Sequence, residues 1–241
     1  PTAHQAHHEN LFVSWDEIIT PFKIKKHAGH PLNHIAVSVI RWLLGMSLYN
    51  LYTIGYSGFD IDNFLLALKK YSIGALVDVR TSPHSAYYTI YNRENIKNIL
   101  NRENIFYLFL GKELGARPED GALYTRHIAD FKKISNSESF IEACKRIRQG
   151  IEMFPICMMC AEKDPINCHR TVLVANAFRN RYPEVSIFHI HSDLKIESQD
   201  RIDRRIMALY NLEQEHLFKD YETRKIEAYS LREKDIAFNE G

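Results

Sequence analysis

The sequence predicts an α/β fold: an open, mainly parallel, Rossmann-like sheet of about five strands flanked by helices, with a helical C-terminal extension. Three observations predict it. From Tyr49 onward, short apolar runs alternate with stretches whose apolar residues recur at helical spacing, the pattern of βαβ units. No internal repeat or low-complexity linker divides the chain. At 241 residues, 45% hydrophobic and 25% charged, the chain has enough apolar material to bury a substantial core.

The elements follow in order. Tyr49 to Gly55 reads as the first strand, and Asp60 opens a helix whose Ile61, Phe64, Leu65 and Leu68 share one face. Gly74 to Val79 is the second strand, Arg93 to Glu103 a helix, and Ile105 to Leu110 the third strand. Ser137 to Gln149 is a helix carrying Phe140, Ile141, Cys144 and Ile147, and Phe154 to Met159 is the fourth strand. His169 to Arg181 is a helix stopped by Pro183, and Val185 to His191 is the fifth strand. The connections between parallel strands are expected to be right-handed. Beyond Glu197, Ile202, Ile206 and Leu209 line one side of a helix that should pack on the sheet or on a partner subunit.

These boundaries divide the chain into an α/β core over residues 46–195, a helical extension over residues 196–241 and an N-terminal extension over residues 1–45. The last holds six of the twelve histidines (His4, His7, His8, His27, His30, His34) without sustained periodicity. Met46, just before the first strand, is a candidate natural initiator, which would make the preceding stretch an upstream or non-native extension. The histidine spacings match no compact metal-ligand set.

Composition excludes several classes. Thirty-one basic against thirty acidic residues leave a formal charge of +1, so no global field favours nucleic acid or an anionic membrane, and any such partner needs a local patch. Four cysteines make no disulfide-dense pattern, and a reducing cytoplasm is the expected location. The longest apolar run, Ile35 to Leu44, is broken by Arg41 and falls far short of the ~20 residues of a spanning helix, so no membrane is expected as partner.

Open parallel sheets bind ligands beyond the carboxyl ends of their strands, and chemistry-bearing residues gather at three such ends. The first strand ends in Gly55-Tyr56-Ser57-Gly58, where glycine permits a tight turn and close approach. The second ends in Asp78-Val79-Arg80, followed by Ser82-Pro83-His84-Ser85, and the fourth in Cys160-Ala161-Glu162. Cys168-His169-Arg170 falls at the start of the next helix, where the dipole and two cationic neighbours favour thiolate over thiol.

Cys160 and Cys168 are therefore candidate nucleophiles, with Glu162, His169 and Asp78 as acid-base or orienting groups. Arg80 and Arg170 are candidates to grip phosphate or carboxylate, alongside Gly55, Tyr56, Ser57, Ser82 and Ser85. The loop from Gly111 to Pro118 would cover the crevice and bring Arg117 to it. Simple packing accounts equally for the cysteines and better for Tyr87, Tyr88, Tyr91, Tyr107 and Tyr124.

Cys157-x-x-Cys160 followed by Cys168-His169 also reads like a zinc-ligand list. The odd separation of Cys157 and Cys160 points them to opposite faces of a strand, however, so no cofactor is expected and zinc stands as the lesser alternative.

Tyr52 to Gly58, Leu76 to Ser85, Leu110 to Pro118, Met159 to Glu162 and Cys168 to Arg170 together resemble the family known as domain of unknown function 488. The resemblance covers roughly residues 50 to 240. Ile190-His191, Glu197, Asp203-Arg204-Arg205 and Leu217-Phe218 resemble the C-terminal pattern of one subgroup. It implies the α/β fold and attention to Asp78, Arg80, Cys160, Glu162, Cys168, His169 and Arg170, but no defined activity. A looser likeness to rhodanese and cysteine-phosphatase domains stops at the cysteine loop, whose cysteine-to-arginine spacing departs from both.

The function expected is an enzyme acting on a nucleotide, nucleic-acid or other phosphorylated substrate. The alternatives are a non-catalytic module binding a small anionic ligand or nucleic acid in the same crevice, and a zinc-stabilised structural protein. An oligomer formed through the C-terminal helix is a further expectation.

Overall fold

The computed structural model describes residues 49–215 and 217–239. The readings of residues 1–45 and of Met46 lie outside the described residues. In chain order the strands are β1 (Tyr49–Gly55), β2 (Ala75–Asp78), β3 (Phe106–Phe109), β4 (Tyr124–Thr125), β5 (Ile128–Ala129), β6 (Ile156–Cys160), β7 (Val185–Ile190) and β8 (Ile196–Ser198). The helices are α1 (Ile61–Lys70), α2 (Arg93–Arg102), α3 (Gly111–Leu114), α4 (Phe131–Ser135), α5 (Glu138–Ile151), α6 (Asn176–Arg181), α7 (Gln199–Leu209) and α8 (Tyr221–Ile236).

The fold is α/β, with a six-stranded sheet in the order β3-β2-β6-β1-β7-β8. All neighbours run parallel except β7 and β8. The sixth strand, β8, escapes the sequence reading because it has only three residues and turns back directly on β7. A second element also departs from expectation: the helix predicted from His169 begins as a π-helix over Arg170–Ala175 before continuing as α6. Such wide turns are uncommon and concentrate near functional sites.

Two apolar layers cover the sheet, separated by strand parity. Leu51, Val77, Met158 and Ile187 face the layer formed with α5, the π-helix, α6, α7 and α8. Ile54, Leu76, Cys157 and Ile190 face the layer formed with α1 and α2. Within the helices the predicted faces are largely buried, although Ile141 on α5 and Leu209 on α7 are exposed. Ile202 and Ile206 of α7 pack on the sheet side, in the same layer as Leu51.

Helix starts follow local sequence. Asp60, Ser137, Ser198 and Asp220 each accept a hydrogen bond from a backbone amide of the first turn that follows. Such caps satisfy donors that the helix cannot reach internally.

A polar chain crosses the α7–α8 layer. Arg170 Nε donates to Thr53 Oγ1 at 3.4 Å, and the Thr53 hydroxyl lies 2.8 Å from His189 Nδ1. His189 Nε2 lies 2.9 Å from Gln199 Oε1, an acceptor, so Nε2 carries the hydrogen and Nδ1 accepts from Thr53. Gln199 donates to Tyr229 Oη, and Tyr229 and Arg179 both donate to Asp203. Every donor along this path points towards Asp203. The sheet and the two C-terminal helices are thereby joined by satisfied buried groups rather than by apolar contact alone.

Candidate functional site

The carboxyl ends of β1, β2 and β6 lie level, since Gly55 is in register with Cys160 and Asp78 with Met159. Beyond them opens a cavity of about 630 Å³. Tyr56, Arg80, Ser82, His84 and Ser85 line it from the first two strand ends, and Cys160, Glu162, Cys168 and His169 from the end of β6 and the loop that follows. Arg117 comes from the loop after α3, and Ile236 to Asn239 form a wall from the C-terminal segment.

Asp78 and Arg80 form a buried bidentate pair: Arg80 Nε donates to Oδ1 at 2.8 Å and Nη2 to Oδ2 at 2.6 Å. The Tyr107 hydroxyl also donates to Oδ2, and the Arg80 amide to Oδ1. Burial opposes the charge on Arg80, but the hydrogen bonds and negative charge of Asp78 outweigh it and raise its pKa above the ordinary value. Burial and the same carboxylate also raise the pKa of Tyr107.

Asp78 is fully buried, its oxygens are occupied by these donors and it does not line the cavity. Of the two roles expected for Asp78, orienting an arginine or acting as a base, this geometry is that of a group holding Arg80. Arg80 itself lines the cavity, and its Nη1 has no hydrogen-bond partner among the described residues.

Arg170 is also reassigned. It is fully buried and gives Nη1 to the Glu162 carbonyl at 2.5 Å, Nη2 to the Lys163 carbonyl at 3.3 Å and Nε to Thr53. Its guanidinium clamps the loop after β6 and does not line the cavity, so it is not an anion grip. At the start of the following helix the Thr171 and Val172 amides both donate to the Cys168 carbonyl.

Gly55 owes its place to that loop. A Cβ built there would stand 1.8 Å from the Glu162 carbonyl oxygen, which Arg170 holds in position. Gly111 is constrained in the same way, with a Cβ falling 1.9 Å from the Arg80 carbonyl oxygen. Each lets two segments of backbone touch. Gly55→Ala is expected to destabilise the protein by about 1–3 kcal/mol through overpacking. Urea unfolding checks this, and a loss below about 0.5 kcal/mol would show that the loop shifts freely.

The cysteines divide by strand parity. Cys157 packs in the α1–α2 layer and Cys160 in the opposite one. Burial raises the pKa of Cys157, and burial raises that of Cys144 to about 12. Cys160 and Cys168 lie together and interact. Burial opposes ionisation of Cys168, but the Cys160 thiol, Arg170 and His169 outweigh it and lower its pKa. The hydrogen bond to Cys168, followed by burial, raises that of Cys160. The pair thus favours a thiolate at Cys168 beside a thiol at Cys160.

His169 Nε2 lies 3.0 Å from the Val79 carbonyl oxygen, which only accepts, so Nε2 is the donor. Nδ1, the other ring nitrogen, lies 3.6 Å from Cys160 Sγ.

Of the remaining candidates, Tyr56 stacks on Tyr91 at 4.6 Å, with the Arg80 guanidinium over its ring at 5.1 Å. The Ser57 amide ties β1 to the Ala161 carbonyl, and Ser57 does not line the cavity. Ser85 Oγ accepts from the Tyr88 amide at 3.0 Å, shaping its own loop. Arg117 lies 4.3 Å over the Phe238 ring, while its amide donates to Thr81 Oγ1. Tyr91 is a packing residue, Tyr107 supports Asp78, and Tyr124 donates its hydroxyl to the Pro118 carbonyl.

Sequence reasoning missed Thr81, Asn167 and the C-terminal wall. Asn167 could have been suspected from its place in the loop between Glu162 and Cys168. The wall could not, because Ile236 to Asn239 reach the cavity only through long-range pairing: the Ala129 amide donates to the Phe238 carbonyl and Asn239 bridges Ile128. Arg232 of α8 further fixes the site loop by donating to the Ile166 carbonyl and Asn167 Oδ1.

No helix among the described residues is long and apolar enough to cross a membrane. No curated protein and no solved structure matches the chain. Residues 60–177, which run from the start of α1 through β6 to α6 and include both Asp78-Val79-Arg80 and Cys168-His169-Arg170, match the model described as Domain of unknown function DUF488, and this segment of the chain belongs to that family.

Proposed function

We propose that the cavity is the active site of an enzyme that transfers or hydrolyses a group on a phosphorylated or similarly anionic substrate. The observation that carries this reading is Arg80, a buried guanidinium on the cavity wall with Nη1 unpartnered, lining the same space as Cys160, Cys168 and His169. A buried donor without an acceptor is costly to a fold, and a ligand oxygen would satisfy it. The other Arg80 donors are already committed to Asp78 and the Tyr91 carbonyl, so the group is rigid and pre-oriented.

The lining favours an anion further. Arg80, Arg117, His84 and His169 line the cavity together with one carboxylate, Glu162. In this reading Arg80 and Arg117 hold the anion and a sulfur of the Cys160–Cys168 pair attacks the adjacent electrophilic atom. The new bond to sulfur forms as the bond to the leaving group breaks, and the leaving group takes its proton from a water in the cavity; a second water, giving its proton to the Glu162 carboxylate, then releases the group from sulfur. Cys168 is the sulfur that its surroundings favour.

Alkylation of the reduced, metal-free protein near neutral pH tests the thiol. Cys168 is expected to react at least about tenfold faster than Cys144 or Cys157, whose pKa values burial raises. Equal rates at all four thiols would end the nucleophile reading. Thermal shifts against a panel of phosphorylated metabolites test the anion site: a ligand at about 100 times its Kd adds about 2.7 kcal/mol, and Arg80→Met should abolish that shift. Product analysis on any hit separates turnover from binding alone.

A further inference from the structure

We infer that Cys160, Cys168 and His169 form a binding site for a thiophilic divalent cation of the zinc class. The ligands are Cys160 Sγ, Cys168 Sγ and His169 Nδ1, with a fourth position open to the cavity. This inference rests on the reading of the cavity as a functional site, though not on either sulfur being a nucleophile.

Four observations carry it. The first is convergence: the three donor atoms lie within 4.8 Å of one another, the one cluster of this kind among the described residues. The second is a distance. The 3.6 Å between His169 Nδ1 and Cys160 Sγ is the separation of two ligands on one tetrahedral ion. With metal–sulfur and metal–nitrogen bonds of ~2.3 and ~2.0–2.1 Å, that tetrahedral edge is about 3.5–3.6 Å.

The third observation is the orientation of the imidazole. Its Nε2–H is bonded to the Val79 carbonyl, which leaves the Nδ1 lone pair directed at the sulfurs. A carbonyl on the far nitrogen is the usual support of a metal-binding histidine, because it fixes both tautomer and ring angle. Fourth, all three residues line the cavity, so an ion could enter and keep a water or substrate oxygen as its fourth ligand.

Burial suits this ion as well. Cys160 and Cys168 are nearly inaccessible, and two thiolates neutralise a dication, so the occupied cluster carries no net charge into a region where charge is expensive. Whatever protons remain on the two thiols pass to the buffer on binding, and nothing is oxidised or reduced. Cys157 cannot join, since it faces the opposite layer of the sheet. The ligand set is therefore not the Cys-x-x-Cys pair suggested by spacing, but three residues brought together by the end of β6 and the start of the π-helix. Metal coordination and nucleophilic attack use the same sulfur lone pairs, so an ion here would silence the thiols and regulate the proposed chemistry.

The test uses the full chain, reduced with a phosphine and stripped of metal, titrated with Co(II) and then Zn(II). One cobalt per chain is expected, with sulfur-to-cobalt charge-transfer absorption and the intense visible bands of tetrahedral cobalt, both removed by zinc. Cys160→Ser, Cys168→Ser and His169→Ala should each weaken binding by at least about tenfold, whereas Cys144→Ala should not. Mass-spectrometric mapping on the unmutated chain, which needs no variant to fold, should show zinc protecting Cys160 and Cys168 from alkylation but not changing Cys144.

Absence of a stoichiometric cobalt–thiolate signal, or no protection by zinc, overturns the inference. The two readings fail separately. A chain that binds the ion but alkylates Cys168 no faster than Cys144 keeps the metal and loses the nucleophile; one that alkylates Cys168 rapidly and gains no protection from zinc does the reverse.

Discussion

Asp78→Ala is expected to lower the free energy of unfolding by about 3–5 kcal/mol, the range for removing one partner of a buried ion pair. The cause is the charge left behind rather than the bond lost. Arg80 is only 4% exposed, lies over the Tyr56 ring and gives Nη2 to the Tyr91 carbonyl, so little of its charge meets solvent. The half-buried Tyr107 would also lose the acceptor of its hydroxyl.

A double-mutant cycle separates these contributions. Asp78→Ala with Arg80→Met should recover much of the loss, because no unpaired charge remains and the methionine fills the apolar part of the space. Urea unfolding of the four proteins measures the coupling. A single-mutant loss below about 1 kcal/mol would mean that Arg80 finds water or another acceptor. Asp78→Ala should in addition remove any ligand-induced thermal shift, since Arg80 would no longer be held at the cavity wall.

The second large effect is loss of stability in acid, centred on His189. Burial, followed by the positive charge of Arg170, lowers its pKa to about 3. His191 adds to this lowering, while Gln199 and Cys168 oppose it. The folded chain therefore keeps His189 neutral down to about pH 3, whereas the unfolded chain protonates it near pH 6.5. Stability from this group is complete above about pH 6.5 and falls as the pH drops towards 3, because the unfolded state takes up a proton that the folded state refuses.

The slope expected from this one group is about 1.4 kcal/mol per pH unit, reaching about 4–5 kcal/mol if the whole window were traversed. Carboxylates titrate in the same range, so the informative quantity is the difference between the wild type and His189→Gln. That variant should be less stable at pH 7, having lost the hydrogen-bonded link between Thr53 and Gln199, yet its stability should depend less on pH between about 6.5 and 4.5. Equal slopes in the two proteins would show that His189 is not kept neutral. His189 was absent from the sequence reading because nothing in Phe188-His189-Ile190 distinguishes a buried network histidine from an exposed one.

Much of the fold was legible because periodicity reports burial directly. A strand covered on both sides, such as Ile156 to Cys160, is apolar throughout, and a helix such as α5 repeats its apolar residues every three or four positions. β8 was not legible, since three residues carry no period. Neither was the π-helix at Arg170, because its composition of small and β-branched apolar residues suits an α-helix or a strand equally.

The candidate site divides in the same way. Residues at strand ends were identified from sequence because parallel topology brings carboxyl ends to one edge whatever the details of packing, and Arg80, Cys160 and Glu162 do meet there. Their roles were a different matter. Arg80 and Arg170 follow strand-end and helix-start motifs of similar appearance, yet one lines the cavity with an unpartnered donor and the other is spent on backbone carbonyls and Thr53. Hydrogen-bond partners far apart in the chain, such as Arg170 with Thr53 or Tyr107 with Asp78, decide such things, and no local pattern encodes them.

What the sequence determined by itself was therefore the class of fold, the two faces of the sheet and the edge at which chemistry-bearing residues collect. Strand parity alone put Cys157 and Cys160 on opposite sides. Only the tertiary structure decided that Cys160, Cys168 and His169 converge within 4.8 Å, that the Asp78 carboxylate is bonded to Arg80 away from the cavity, and that residues near Phe238 close the cavity. The physical reason is one of range: side-chain period is set within a few residues, whereas donor–acceptor pairing and convergence depend on how separate layers settle against one another.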